Sequence, residues 1–254
     1  MEVLWLAALA IGPGLVLVHF HWARDREREP LRNLLAYLGL GAASVVPAAF
    51  AEAATNRACV ALAQGLGTPL ALLLHAFLGV ALVEEVCKRM LLHTRAHADR
   101  HINEPFDWLV YAVTVSLGFA TVENLLYVYQ HGTATGLVRA VTAVPAHAFF
   151  GTIMGWRLAR AAERSGADAR RERLWAWLEP TLWHGAYDLP LFASRVAQPG
   201  LFLTLFPLVL LCLWRVSVRR VETLALAQQH TRPPLLALEA LALRARARRR
   251  GAAG

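Results

Sequence analysis

Apolar residues run along this chain in blocks of about 20, separated by short polar stretches, the length and spacing of membrane-spanning helices. The blocks cover residues 4–20, 31–51, 68–92, 106–129, 137–158, 174–194 and 200–214. The second holds Gly39, Gly41, Ala43 and Pro47, mostly small residues that let helices approach closely. Only helices and closed barrels satisfy their backbone groups in lipid, and 20-residue apolar runs exclude the barrel. The pattern therefore predicts an all-α fold: a polytopic membrane bundle of seven transmembrane helices within one domain, residues 1–220. Residues 52–67 read as a mild polar connection, and residues 130–136 as a short uncharged one.

Charge orients the bundle. The loops after the first, third, fifth and seventh blocks hold most of the basic residues, while those after the second and sixth hold only Arg57 and Arg195 and that after the fourth none. By the positive-inside rule the N-terminus is outside and the C-terminus cytoplasmic. Residues 221–254 form a basic tail, broken at Pro233-Pro234 and ending in an arginine-rich run. It reads either as a helix on anionic lipid or as disordered chain. The first block lacks a basic n-region and a small-x-small cleavage site, so it reads as a retained anchor.

Composition agrees with a membrane protein: 57% of the 254 residues are hydrophobic. The net charge of +8 sits in clusters between apolar runs, with no basic stripe with interleaved aromatics, so nucleic acid is not the expected partner. Cys59, Cys87 and Cys212 are far apart and form no CxxC, which argues against a disulfide framework or a cysteine metal site.

Against this background certain polar groups stand out. Glu84 and Glu85 interrupt an apolar block before Met90-Leu91-Leu92 completes it. Glu123-Asn124, His147, and His184 with Asp188 do the same elsewhere. Charges in such segments cost several kcal/mol unless paired, hydrated or neutralised. A helical rise of 1.5 Å places Glu84 and Glu85 about 10–13 Å from the cytoplasmic ends, His184 about 14 Å and His147 about 16 Å. Glu123 falls deeper, at about 24 Å, which requires a tilted span, a span that begins later than residue 106, or an outer layer to the site. Lys88, the chain's single lysine, is four residues from Glu84 and three from Glu85, and Arg89 is four from Glu85. Either cation can neutralise a carboxylate on its own helix face. Asp188, four residues after His184, can fix the imidazole tautomer. One glutamate is suited to activate water, and the histidines to polarise a carbonyl.

At these residues a family resemblance appears. The run Glu-Glu-Val-Cys-Lys-Arg at 84–89 resembles the EExxK/EExxxR motif of the PrsW family of intramembrane proteases, distant relatives of the CAAX-processing protease superfamily. The resemblance continues through residues 106–111, 118–124, 146–151 and 184–188, in family order. It departs at Trp108, where a small residue is expected. The resemblance implies a peptidase of the bacterial plasma (inner) membrane with a membrane-anchored protein substrate. It implies that Glu84, Glu85, Glu123, His147 and His184 are essential; Lys88, Arg89, Asn124 and Asp188 are read from their positions as supporting them. The family role it implies is first-site cleavage of a membrane-anchored anti-sigma factor in envelope stress.

The cofactor is open between none and one divalent metal, zinc foremost, held by His147, His184 and one of Glu84, Glu85 and Glu123. No HExxH is present to decide it. Rival readings are a proton-coupled transporter using the same carboxylates, and a non-catalytic scaffold of the same fold. Plainer roles are expected for His75 as a structural residue, Glu179 at the membrane surface and Asp107 as a helix cap.

Overall fold

The computed structural model describes residues 2–196 and 199–230. The tail beyond residue 230 lies outside them. Among the described residues there are seven helices: α1 Glu2–Trp22, α2 Leu31–Leu66, α3 Thr68–Ala96, α4 Pro105–Val141, α5 Ala143–Ala162, α6 Gly166–Val196 and α7 Pro199–His230. There is no strand among the described residues. Among the described residues, five helices are long and apolar enough to cross a membrane: α1, α2, α3, α4 and α7. The other two, α5 and α6, carry the histidines and several arginines that lower their hydropathy.

Helix α4 is the centre of the bundle. Its apolar window is 72% buried, against 11–33% for the other four candidate spans, so it is the one surrounded by protein rather than lipid. It packs against α1, α2 and α5. Small residues permit that approach, as the glycine-rich second block suggested. A Cβ on Gly118 would strike the backbone of Leu38 in α2, and one on Gly41 the backbone of Val115. On the opposite face, Gly151 and Gly155 of α5 lie directly against the α4 backbone at Val113 and Leu109. Backbones this close give dense packing without large side chains, the usual solution where no hydrophobic effect drives helices together.

Three boundaries differ from expectation. Residues 52–66 continue α2, which reaches 36 residues and so about 54 Å. The stretch is polar but rich in alanine, a strong helix former; it contains no proline, its one glycine, Gly65, falls in the last turn, and the helix ends at Gly67 with φ 78°. Residues 130–141 belong to α4, which is broken inside by Gly132 at φ 80°, a backbone state other residues rarely adopt. The helix after it therefore starts at Ala143 rather than residue 137. Beyond Gly132 the chain folds back. In a straight helix Arg139 would lie about 24 Å beyond Glu123, yet their side chains form an ion pair at 2.9 Å.

Helix α3 is also irregular. Residues His75–Ala81 form a π-helical turn between two α-helical parts, Thr68–Leu74 and Leu82–Ala96. Thr55 of α2 donates its hydroxyl to the Gly79 carbonyl at 3.0 Å and thereby satisfies part of the widened turn. His75 packs its ring on Phe192, a structural contact.

At the other end of the bundle the loops after α1 and α3 meet the end of α7. Trp22 donates to the Glu29 carbonyl at 2.8 Å, Tyr37 to Asp99 at 3.0 Å, and Arg26 to the Gln228 carbonyl at 3.2 Å. The start of α6 is held by Glu172, which takes Arg157, Arg160 and Arg164 together. Burial pushes this carboxyl up, but hydrogen bonding from Arg157 and the arginine charges hold it below its usual range. Glu179, expected at the surface, pairs with Arg157 and Arg220. Asp107 caps α4 in a reciprocal capping box with Glu104.

Candidate active site

The π turn leads straight into Glu84 and Glu85 in the next turn of α3, and both are buried. Lys88 follows one turn later and lies between them, its Nζ 2.9 Å from Glu84 Oε2 and 2.8 Å from Glu85 Oε1. The same ammonium is 3.1 Å from His147 Nδ1 on α5 and lies 4.1 Å above the Phe119 ring of α4. Three helices thus meet at one side chain.

Each histidine is held by a different glutamate. His147 Nε2 is 2.9 Å from Glu123 Oε2, and His184 Nδ1 is 3.0 Å from Glu85 Oε1. The fold-back of α4 brings Arg139 onto Glu123 as well. Glu123 therefore belongs to the same layer as the Glu pair, because α4 and α5 pack so that it faces His147. The two imidazole rings stand edge to face, with centroids 5.3 Å apart. Phe150 stacks on His184 at 4.5 Å. Asp188 Oδ2 is 3.4 Å from His184 Nε2 but makes no hydrogen bond.

This donor set fits a divalent ion. One ligand atom from each of Glu84, His147 and His184 lies within 4.8 Å of the others, and all three residues are buried. A ring nitrogen that donates to a carboxylate leaves the other as a lone pair, the usual arrangement for metal-bound histidine. Here Glu123 and Glu85 are those carboxylates, which leaves His147 Nδ1 and His184 Nε2 as electron-pair donors beside Glu84. The ammonium of Lys88 against His147 Nδ1 and Glu84 shows that the place attracts a cation.

Seven of the nine residues singled out in the sequence converge here: Glu84, Glu85, Lys88, Glu123, His147, His184 and Asp188. Asn124 is adjacent but serves another purpose. It donates to the Leu9 and Ala10 carbonyls of α1 and accepts from Arg139 Nε at 3.1 Å. The expected pairing of Arg89 with Glu85 does not occur. Arg89 is buried with its Nε unpartnered and has no ion pair among the described residues. One residue further round the helix than Lys88, it is turned about 100° away, within electrostatic reach of Arg173.

Two participants were not anticipated. Arg139 sits inside the predicted fifth block, where the cost of a charge in an apolar segment could have flagged it. Glu52, in the supposed polar connection, lies within electrostatic reach of Glu84, Glu123, Lys88 and His184. In the sequence it stands in a mildly polar stretch, where a carboxylate carries no cost that would mark it.

Comparison with known proteins gives a consistent result. Residues 29–214 match the family model described as PrsW family intramembrane metalloprotease. The chain is 34% identical to the Protease PrsW of Geobacillus kaustophilus over 231 residues, covering 90% of this chain and 94% of the relative. It is 34% identical to that of Bacillus subtilis over 192 residues, 74% of this chain and 83% of the relative. The Clostridioides difficile protein of the same name is 30% identical over 225 residues, covering 85% and 90%. No solved structure gives a significant match.

Proposed function

The chain belongs to the PrsW family of intramembrane metalloproteases, and from that premise we propose that it cuts a membrane-anchored protein at the Glu84–His147–His184 centre. We take the ion to be zinc and the substrate to be an anti-sigma factor, as the family resemblance implies. The observation that carries the site assignment is the pair of histidines, each tied to a glutamate through one ring nitrogen and carrying the other beside Glu84, where His147 Nδ1 meets the Lys88 ammonium.

A divalent ion held there supplies a Lewis acid for the scissile carbonyl and a bound water of lowered pKa. Glu84, His147 and His184 would hold it. Glu85 is the general base. Its Oε1 is fixed by Lys88 and His184, while its Oε2 is buried without a hydrogen bond and is free to take a proton from water and pass it to the leaving amine. Lys88 orients Glu85 through its Oε1. Glu123, itself paired with Arg139, fixes the tautomer and aim of His147. Phe119 and Phe150 close the site with apolar rings, which excludes water and strengthens each charge interaction.

The arginine-rich loops face the cytoplasm in this reading, with the N-terminus outside and the protein in the bacterial plasma membrane. Purified enzyme in detergent, offered a panel of single-span membrane proteins including anti-sigma factors, tests the whole proposal. Cleavage should stop on chelation and return with zinc, and His184→Ala should be inactive. Cleavage indifferent to chelators would remove the metal, and cleavage retained by His184→Ala would remove the site.

A further inference from the structure

A second cluster of carboxylates lies at the loop end of the bundle and shares no residue with the catalytic centre. Asp25 comes from the loop after α1, Glu104 from the loop before α4 and Asp107 from the first turn of α4. One oxygen from each lies within 4.8 Å of the others. Asp25 and Asp107 are almost wholly buried, 3% and 1% exposed, and Glu104 is half-buried.

Local structure accounts for only half of these oxygens. Asp25 Oδ1 accepts from the Glu27 amide at 3.2 Å and from Gln228 Nε2 at 3.1 Å. Asp107 Oδ2 accepts from the Asn103 and Glu104 amides at 2.8 and 2.7 Å. The Glu104 side chain accepts the Asp107 amide in the capping box. The second oxygen of each group, Asp25 Oδ2, Glu104 Oε1 and Asp107 Oδ1, is buried and receives no N–H or hydroxyl donor, and the Asp107 carboxyl also lies within hydrogen-bonding reach of the Glu29 carboxyl. Such orphaned acceptors are rare because each forfeits its hydration.

No cation answers this charge: among the described residues, no ion pair involves Asp25, Glu104 or Asp107, while nearby Arg95 and His101 are both taken by Asp99. Glu29, buried and accepting the Tyr111 hydroxyl, adds its charge to the same region. Burial pushes Asp25 up to about 7, and the Glu29 and Glu104 charges add to that. Three carboxylates with one oxygen pinned and the other bare form a preorganised all-oxygen donor set. Hard cations such as Mg2+ and Ca2+ favour such a set, whereas zinc favours histidine and cysteine.

We propose that Asp25, Glu104 and Asp107 bind a hard divalent cation, Mg2+ or Ca2+, which clamps the loop after α1 to the start of α4. Through Gln228 the clamp also reaches the end of α7. It therefore locks the loop end of the central helix that carries Glu123, independently of the catalytic ion.

The test is thermal unfolding of full-length, chelator-treated protein in detergent at pH 8, titrated separately with MgCl2 and CaCl2. Saturating ion should raise the midpoint by about 5 °C in the wild type. The rise should persist in Glu84→Gln, whose catalytic centre is impaired, and disappear in Asp25→Asn and Glu104→Gln. The salt acting at the lower concentration identifies the ion. No rise with either salt overturns the proposal, as does a full rise in both Asp25→Asn and Glu104→Gln. A rise lost in Glu84→Gln but kept in the loop variants assigns the effect to the catalytic centre and also overturns it. Should Asp25→Asn fail to fold, Glu104→Gln, at a half-exposed position, decides the matter alone.

Discussion

Lys88 explains how two adjacent glutamates can be buried together. Its ammonium touches both carboxylates and His147, so the like charges share one counter-ion at under 3 Å. The two glutamates nevertheless differ in kind. Glu84 shares ligand distance with both histidines, whereas Glu85 bonds His184 and keeps one oxygen bare. They should separate on mutation. Glu84→Gln is expected to lose both activity and bound metal. Glu85→Gln should lose activity by a factor of about 100 or more, the usual worth of a general base, while retaining metal. Metal content measured beside cleavage checks this, and equal metal loss in both variants would refute the division of roles. The sequence made the pair visible through the cost of charge in an apolar run, but nothing in a spacing of one residue tells ligand from base. That difference arises from which helix stands opposite each carboxylate.

At the scale of the element, two irregularities build the site. The π turn at His75–Ala81 immediately precedes the Glu pair, and inserted residues of this kind recur at functional sites. The bend at Gly132 returns Arg139 to Glu123. Neither was readable from hydropathy, because apolar residues look alike in a π turn and in an α-helix, and a single glycine in a membrane span is common. The close approach of α2 and α4 was better signalled by the small residues of the second block. Gly118→Val tests it. The added side chain would meet the Leu38 backbone, which has no free end to give way. The variant should be destabilised by about 1–3 kcal/mol, seen as a lower thermal midpoint. An unchanged midpoint would mean that α2 and α4 are further apart than described.

For the molecule as a whole, the loops after α1 and α3 and the end of α7 gather at one end, tied by Arg26–Gln228 and Tyr37–Asp99. Up-and-down connectivity requires this, and it groups the arginine-rich segments on one side. A reporter that works only in the cytoplasm, fused after residue 230, should be active; one fused before residue 2 should be inactive. The reverse pattern would invert the orientation. The amino-acid sequence alone determined the all-helical membrane architecture, because a bilayer demands apolar runs of set length. It also marked most of the polar residues that the structure brings together at one place, because charges in those runs are costly enough to need a reason. Tertiary packing decided the rest. It set the level of Glu123, the partner of Lys88, the idleness of Arg89 toward Glu85 and the entry of Arg139 and Glu52. These depend on how helices far apart in sequence are rotated and bent against one another, and rotation and bending are set by contacts that no single segment contains.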